Sequence, residues 1–453
     1  MEINSSIFKA YDVRGVYPDE LKAEDAYRIG RAFAQFLKGG KEKNTVLRIA
    51  VSADARASSP ELKKELILGL LDEGCEIVDA GLSTTHMHYF LVNHLKADGG
   101  VMVTASHNPA QYNGFKFSQA GAAPVGAETG LLEIKNIVTR GIFSVPARKG
   151  QVREQEVLME YQKFLLSKIS KESLKKLTVV FDTGNGMAGL VLPGILEELP
   201  LKSKILFEDI DMAFPNHEDN PLKEETLAAL QKAVLKEKAD MGVAFDGDGD
   251  RVAFVTSKGE VVRGDFILAL IASHMLARNP AGKVAYALTC SRRIREVVEE
   301  AGGVPVETRV GHSFIKAVMR REKAIVGGEI SGHFYYQELF SNDSALLTFL
   351  KVLEIVSTTG KSLSELIAPF KTYAQSGEIN LEVDDKDKAI DKIVTHFHDA
   401  KSIRYVDGVS IAYDDFWFNI RPSNTEPFLR LNMEAKEKGT LDARLREVVD
   451  IVK

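Results

Sequence analysis

Three stretches of this chain repeat one rhythm of strand, helix, strand, helix, strand, and that rhythm leaves few folds open to it. The first takes its strands from 46–51, 76–78 and 100–103, with a helix after Pro60; the second from 178–181, 205–207 and 241–245; the third from 283–286, 304–306 and 324–326. Strands alternating with helices predict α/β layers whose ligands lie beyond the carboxyl ends of the strands. Past about residue 370 the pattern changes to one-sided alternation, as in Trp417-Phe418-Asn419-Ile420, between helices near 386–398 and 439–452. A chain of 453 residues also needs several cores. The expected fold is α/β: three similar α/β/α domains with mixed sheets and a smaller C-terminal α+β domain, arranged around a central cleft. The expected boundaries are 1–150, 151–257, 258–370 and 371–453, with linkers at Arg148-Lys149-Gly150 and Ser376-Gly377.

The net charge of -6 supplies no basic field for nucleic acid, so any anion site must be built locally. The amino terminus has no basic segment followed by an apolar run. The longest apolar stretch, 266–277, is broken by Ser273 and His274 and falls short of the ~20 residues of a membrane span. A cytoplasmic monomer or small homo-oligomer, with no membrane and no nucleic-acid partner, is expected. Cys75 and Cys290 stand far apart without metal-ligand spacing and read as reduced, buried thiols.

The segment after each closing strand is polar and chemically loaded. The first unit ends in Thr104-Ala105-Ser106-His107-Asn108-Pro109, the second in Asp246-Gly247-Asp248-Gly249-Asp250-Arg251, the third in Gly328-Glu329-Ile330-Ser331-Gly332-His333. Serine alone is a poor nucleophile, but His107 offers a base titrating near neutrality, and Lys116 lies close enough in sequence to offset a phosphate. Three carboxylates as near as Asp246, Asp248 and Asp250 repel by about 4 kcal/mol per pair at about 4 Å, and a bound cation is the natural remedy. Oxygen-only ligands in a short loop fit Mg²⁺. A calcium EF-hand fails here, because Arg251 and Ser257 occupy positions that need glycine and glutamate. Glu329 and Ser331 offer a carboxylate and a hydroxyl to neighbouring ligand hydroxyls. In the C-terminal domain Arg421, Ser423, Asn424 and Thr425, bounded by Pro422 and Pro427, match the geometry of a phosphate dianion.

Gly184-Asn185-Gly186-Met187-Ala188-Gly189 matches a dinucleotide-binding pattern, with Glu208 near the place of an acidic ribose ligand. A nicotinamide-dependent oxidoreductase would leave the other loops unexplained, so a tight strand-to-helix turn is the better reading. Arg14 and the Gly311-His312 pair before a helix are lesser candidates, open to being a solvated arginine and an ordinary helix start.

In this order and spacing the motifs resemble the α-D-phosphohexomutase superfamily, most closely its phosphomannomutase/phosphoglucomutase branch, over essentially the whole chain. The resemblance implies that Ser106 carries a phosphoryl group, with Ser106, Asp246, Asp248 and Asp250 as Mg²⁺ ligands. It implies acid–base and charge roles for His107 and Lys116, support of the phosphoserine by Arg14 and Arg251, and sugar-hydroxyl contacts from Glu329 and Ser331. Arg421, Ser423, Asn424 and Thr425 would hold the non-reacting phosphate, while Gly311, His312 and Tyr11 also match. The implied partner is a hexose phosphate, the implied primer glucose 1,6-bisphosphate, and the implied cycle a two-step exchange through a bisphosphate that turns end for end.

Ser52-Ala53 stand where relatives often have Gly-Arg, His86 where proline is frequent, Thr289 where some carry lysine, and Ser344 where glycine is common. Ile330 and Asn424 resemble the mannose/glucose branch rather than the phosphoglucosamine branch, which remains the enzyme alternative. A non-catalytic sugar-phosphate binding protein would not need Ser106-His107 and the three aspartates together.

Overall fold

Alternation along each central strand sends successive side chains to opposite faces, and the apolar clusters divide accordingly. The computed structural model describes residues 3–39, 45–143, 149–422 and 428–452. In strand Arg48–Ala53, Ile49 and Val51 join the cluster beneath helices Ala23–Lys38 and Ser59–Asp72, while Ala50 faces helix Thr85–His94. Strand Thr178–Asp182 divides likewise: Val179 and Phe181 face helix Ala188–Leu196, and Val180 faces helix Ala228–Glu237. In Lys283–Ala287, Ala285 meets Ile315 and Met319 of helix His312–Glu322, with Val284 and Tyr286 on the other side. Each of these sheets is thus covered on both faces.

All three sheets are mixed for one reason. After its parallel strands each turns back through the polar loop into an antiparallel strand: Gly99–Val103 into Tyr112–Gln119, Met241–Phe245 into Val252–Thr256, Val326–Gly328 into Phe334–Tyr336. The three functional loops are therefore hairpin connections at equivalent sheet ends. Strand Gln151–Glu154, expected in the second unit, pairs in parallel with Glu76–Leu82 and extends the first sheet.

The C-terminal sheet is wholly antiparallel, in the order Ala374–Glu382, Phe428–Ala435, Phe416–Pro422, Val409–Ala412, Ser402–Arg404. Helices Lys386–His396 and Lys438–Val452 pack Ile393, Leu441 and Val448 on it. Ser376-Gly377, expected to be a linker, is a bulge inside its first strand, where the register shifts between Gln375 and Glu378 and Gly377 takes φ +69°. Arg148, the start of the other expected linker, lies outside the described residues.

One apolar cluster runs through all of the first three units, with helix Ala345–Thr359 at its centre and Phe349 edge-on to Phe181 at 5.0 Å. The last unit has its own cluster. It is tied to the third by Glu434, which accepts from Ser291 Oγ and from the Arg292 amide at 2.9 Å at the start of helix Arg292–Glu300. Among the described residues no helix is long and apolar enough to cross a membrane.

Candidate active site

Ser106 sits buried in the first hairpin loop with φ +55°, a left-handed backbone that costs a residue with a Cβ about 1–2 kcal/mol. Local bonds hold it there. Its amide donates to Thr104 Oγ1 at 2.9 Å, and the Asn108 amide to the Ala105 carbonyl at 3.1 Å. Ser106 Oγ lies 3.2 Å from His107 Nδ1. Arg14, on the edge strand Val13–Val16, donates to Asn108 Oδ1 and Asp12 Oδ2 at 2.5 Å each. Arg14 pairs in register with Gly114, where a side chain would strike the Val13 carbonyl.

The aspartate loop lies directly against this serine. Gly247 needs to be glycine, since a Cβ there would run into Asp219 Oδ2 and come within 3.2 Å of the Ser106 carbonyl. Thr85, at the start of helix Thr85–His94, donates through Oγ1 to Asp248 Oδ2 at 2.5 Å, and its amide reaches the Asp248 carbonyl at 3.1 Å. Lys116 Nζ donates to Asp248 Oδ2 at 2.7 Å and to Asp250 Oδ2 at 2.6 Å. Arg251 Nη2 is 3.4 Å from His107 Nε2, closing the junction between the loops.

Asp246, Asp248 and Asp250 are buried, and their ligand-capable oxygens lie within 4.8 Å of one another. Asp246 Oδ2 and Asp248 Oδ1 have no hydrogen-bond partner among the described residues, the state expected of groups shaped to grip a cation. Burial and the two neighbouring carboxylates push Asp246 well above the usual carboxylate range. Burial acts the same way on Asp250, but Lys116 and His333 outweigh it and hold Asp250 well below that range. A second group of Asp250, His333 and Asp343 is equally close, but it replaces one carboxylate with an imidazole nitrogen. The all-oxygen set is the one that fits a hard divalent cation.

The glycine string 184–189 finds its explanation here. A Cβ on Gly186 would lie 2.8 Å from the Gly247 carbonyl, and the Met187 amide donates to that same oxygen at 2.8 Å. The turn buttresses the aspartate loop.

In the third loop Glu329 is buried and oriented, accepting from the Gly311 amide at 2.8 Å and from Tyr335 OH at 2.5 Å. Ser331 Oγ is 2.9 Å from His333 Nδ1, and His333 Nε2 is 3.2 Å from Asp250 Oδ1, which links this loop to the aspartates. Tyr11 OH donates to the Val310 carbonyl at 3.1 Å, and its ring stands edge-on to His312 at 5.2 Å. Burial, aided by Glu329 and Asp407, pushes the Tyr11 phenol up to about 12. Burial, then Lys316 and Lys116, hold His312 well below its ordinary value, so its ring is neutral. Asp407 of the last unit accepts from the Val310 amide at 3.1 Å, bringing that unit to the same place. Arg421 there donates to Glu378 Oε2 at 2.9 Å. Ser423, Asn424 and Thr425 lie outside the described residues.

Several contributors escape detection from sequence. His333 sits inside one of the three polar loops with no role expected of it, and nothing marks Thr85, Asp219, Tyr335 or Glu378. Arg56 had a readable signal: Asp54 and Arg56 form a charged pair at the end of an apolar strand, where solvated charges are least expected.

Profiles for four consecutive domains match the chain: phosphoglucomutase/phosphomannomutase alpha/beta/alpha domain I over residues 5–144, domain II over 159–259, domain III over 263–373, and the C-terminal domain over 378–451. A protein described as phosphohexose mutases from Xanthomonas campestris is 39% identical across 98% of this chain and 99% of its own length. A phosphomannomutase from Salmonella montevideo is 38% identical across 99% of each. The crystal structure of a phosphoglucomutase/phosphomannomutase family protein from Burkholderia thailandensis superposes with a TM-score of 0.90 at 33% identity, covering 98% of this chain and 96% of the other.

Proposed function

The chain belongs to the phosphoglucomutase/phosphomannomutase family and is a phosphohexomutase, and from that premise we propose that it interconverts the 1- and 6-phosphates of mannose and glucose through a phosphoserine at Ser106. One observation supports the reading: Lys116 of the first unit bonds two aspartates of the second while Gly247 packs on the Ser106 carbonyl, so the serine loop and the aspartate loop lie against one another.

The chain's own groups account for most of what phosphoryl transfer requires, which is positioning and charge. Lys116, Arg14 and Arg251 surround Ser106 with positive charge. Burial, then Arg251 and Arg14, hold His107 well below its ordinary value, so the imidazole is neutral. An arginine can only donate, so Nε2 facing Arg251 accepts, and the ring proton resides on Nδ1, facing Ser106 Oγ. The Nδ1–H of the neutral ring then donates a hydrogen bond that orients Ser106 Oγ, a positioning role beside the acid–base role its sequence position suggests. In the first transfer the serine P–O bond breaks as a sugar-oxygen P–O bond forms, and the proton of the attacking sugar hydroxyl passes to the departing Ser106 Oγ; in the second the P–O bond at the other sugar oxygen breaks as the Ser106 P–O bond re-forms, and the Ser106 proton passes to that sugar oxygen. Asp246, Asp248 and Asp250, joined by the serine-borne phosphoryl, would hold Mg²⁺, which when bound withdraws charge from the phosphoryl oxygens. Glucose 1,6-bisphosphate is the proposed primer. Arg421, with Ser423, Asn424 and Thr425, is assigned the phosphate that does not react.

Glu329 keeps free lone pairs for sugar hydroxyls beyond the two bonds that orient it. Hydroxyls three and four have the same orientation in glucose and mannose, so a loop reading those accepts both. With Mg²⁺ and primer, a coupled assay is expected to show kcat/KM values for mannose 1-phosphate and glucose 1-phosphate within about tenfold of each other; glucosamine shares hydroxyls three and four, so the value at least about tenfold lower expected for glucosamine 1-phosphate rests on Ile330, where the phosphoglucosamine branch more often has a polar residue. A preference for glucosamine 1-phosphate would move the assignment to that branch, and no turnover of any of the three would remove it. Tyr335→Phe, which deletes only the hydroxyl on Glu329, is expected to lower kcat/KM by about tenfold and, because the buried carboxylate loses one of its donors, to cost about 1–3 kcal/mol of stability, read as a modestly lower melting temperature.

A further inference from the structure

We propose that Arg56 is the positioning residue that holds Ser106 in line for phosphoryl transfer, an inference that rests on Ser106 being the phosphoryl carrier. A left-handed serine persists only where its surroundings over-determine it, and one guanidinium does so here. Arg56 Nη2 donates to the carbonyls of Ser106 and Asn108, both at 2.7 Å, and Nη1 to those of Pro109 at 2.9 Å and Tyr112 at 3.1 Å. Its Nε is 3.1 Å from Asp54 Oδ2, and Asp54 is fixed in turn by Ser59 Oγ at 2.6 Å. Every N–H of the fork is thereby spent, and four of them go to the backbone of the serine loop. The side chains of Arg56 and Asp54 are wholly buried.

The far side of the same junction is closed by the second unit. The Phe214 ring lies 5.6 Å from the guanidinium, and Gly247 backs the very carbonyl that Arg56 holds. Arg56 therefore grips the serine from behind while the aspartate loop meets it from the front. None of its bonds reaches the Glu329 loop or Arg421, so the sugar-binding side has no reason to respond to it.

Arg56→Lys keeps the charge but offers a compact ammonium that cannot span four carbonyls. It is expected to lower kcat by about a hundredfold, with KM for glucose 1-phosphate and for glucose 1,6-bisphosphate within about threefold of the parent. A kcat within about threefold of the parent would overturn the proposal, and so would a loss carried by KM instead. If Arg56→Lys shows no cooperative melt, the same split is read on Asp54→Asn, which retains the guanidinium but loosens its anchor. That variant should lose about tenfold in kcat at constant KM, and a parental kcat there overturns the proposal equally. Ser106→Ala runs beside both. If it stays active the phosphoserine reading itself is wrong; if it is dead while Arg56→Lys is parental, only the role of Arg56 falls.

Discussion

Ser106→Ala is expected to lower kcat by at least about four orders of magnitude, with the fold intact. Both halves of the proposed cycle use the same oxygen, so its removal abolishes the donor in one transfer and the acceptor in the other. The side chain contributes little to the architecture: among the described residues Oγ has a hydrogen-bond contact only with His107, at 3.2 Å, and the loop is held through backbone carbonyls and amides that alanine retains. Melting temperature should therefore be unchanged. Intact mass spectrometry after incubation with glucose 1,6-bisphosphate should show one added phosphoryl group on the parent and none on the variant. Retention of more than about 1% of kcat would mean that another group carries the phosphoryl.

Lys116→Met should produce the next largest effect, and on two quantities at once. Burial works against the Lys116 charge, but Asp248 and Asp250 outweigh it and hold the ammonium well above its ordinary value. Removing one partner of such a buried pair strands the other, which costs about 3–5 kcal/mol. Metal-free Lys116→Met should melt correspondingly earlier. Added Mg²⁺ should raise its melting temperature by more than it raises that of the parent, because the cation then supplies the positive charge that Lys116 brought to Asp248 and Asp250. Catalysis should still fall by about 10²–10³ in kcat, the usual consequence of losing a preorganised charge at a transferring group. Parental melting and turnover together would remove Lys116 from the mechanism.

The alternation of strand and helix, and the polar loops after the closing strands, are legible in the sequence because each is local. Val179, Val180 and Phe181 are apolar whichever cluster they join, so strand existence is plain while the face of each residue is not. The returning antiparallel strands are harder. Tyr112–Gln119 is buried on both sides through Asn113 to Ser118, which removes the two-residue alternation that marks an exposed sheet face, and Phe334–Tyr336 is too short to show any period. Gly377 resembles a linker because turns and bulges draw on the same backbone freedom. Arg56 is marked only by its pairing with Asp54 at a strand end, and its role is not legible for another reason: an arginine reads as solvent-facing until a loop some fifty residues later folds over it. The Gly184–Gly189 string is the converse case, a dinucleotide-like pattern rightly read as a tight strand-to-helix turn, in which Gly186 packs on the aspartate loop and Gly189 on the Glu208 carbonyl.

The separate apolar cluster of the C-terminal unit has a consequence for how such a molecule changes through descent. Phe181 and Phe349 belong to the one cluster that passes through the first three units, so a mutation there bears on all three, whereas the clusters on the opposite faces of their sheets are separate. Variation within Ile393, Phe418 or Leu441 is quarantined behind contacts such as Glu434 with Ser291. A lineage is therefore free to trial new arms for grasping different cargo while its chemical centre is inherited unaltered.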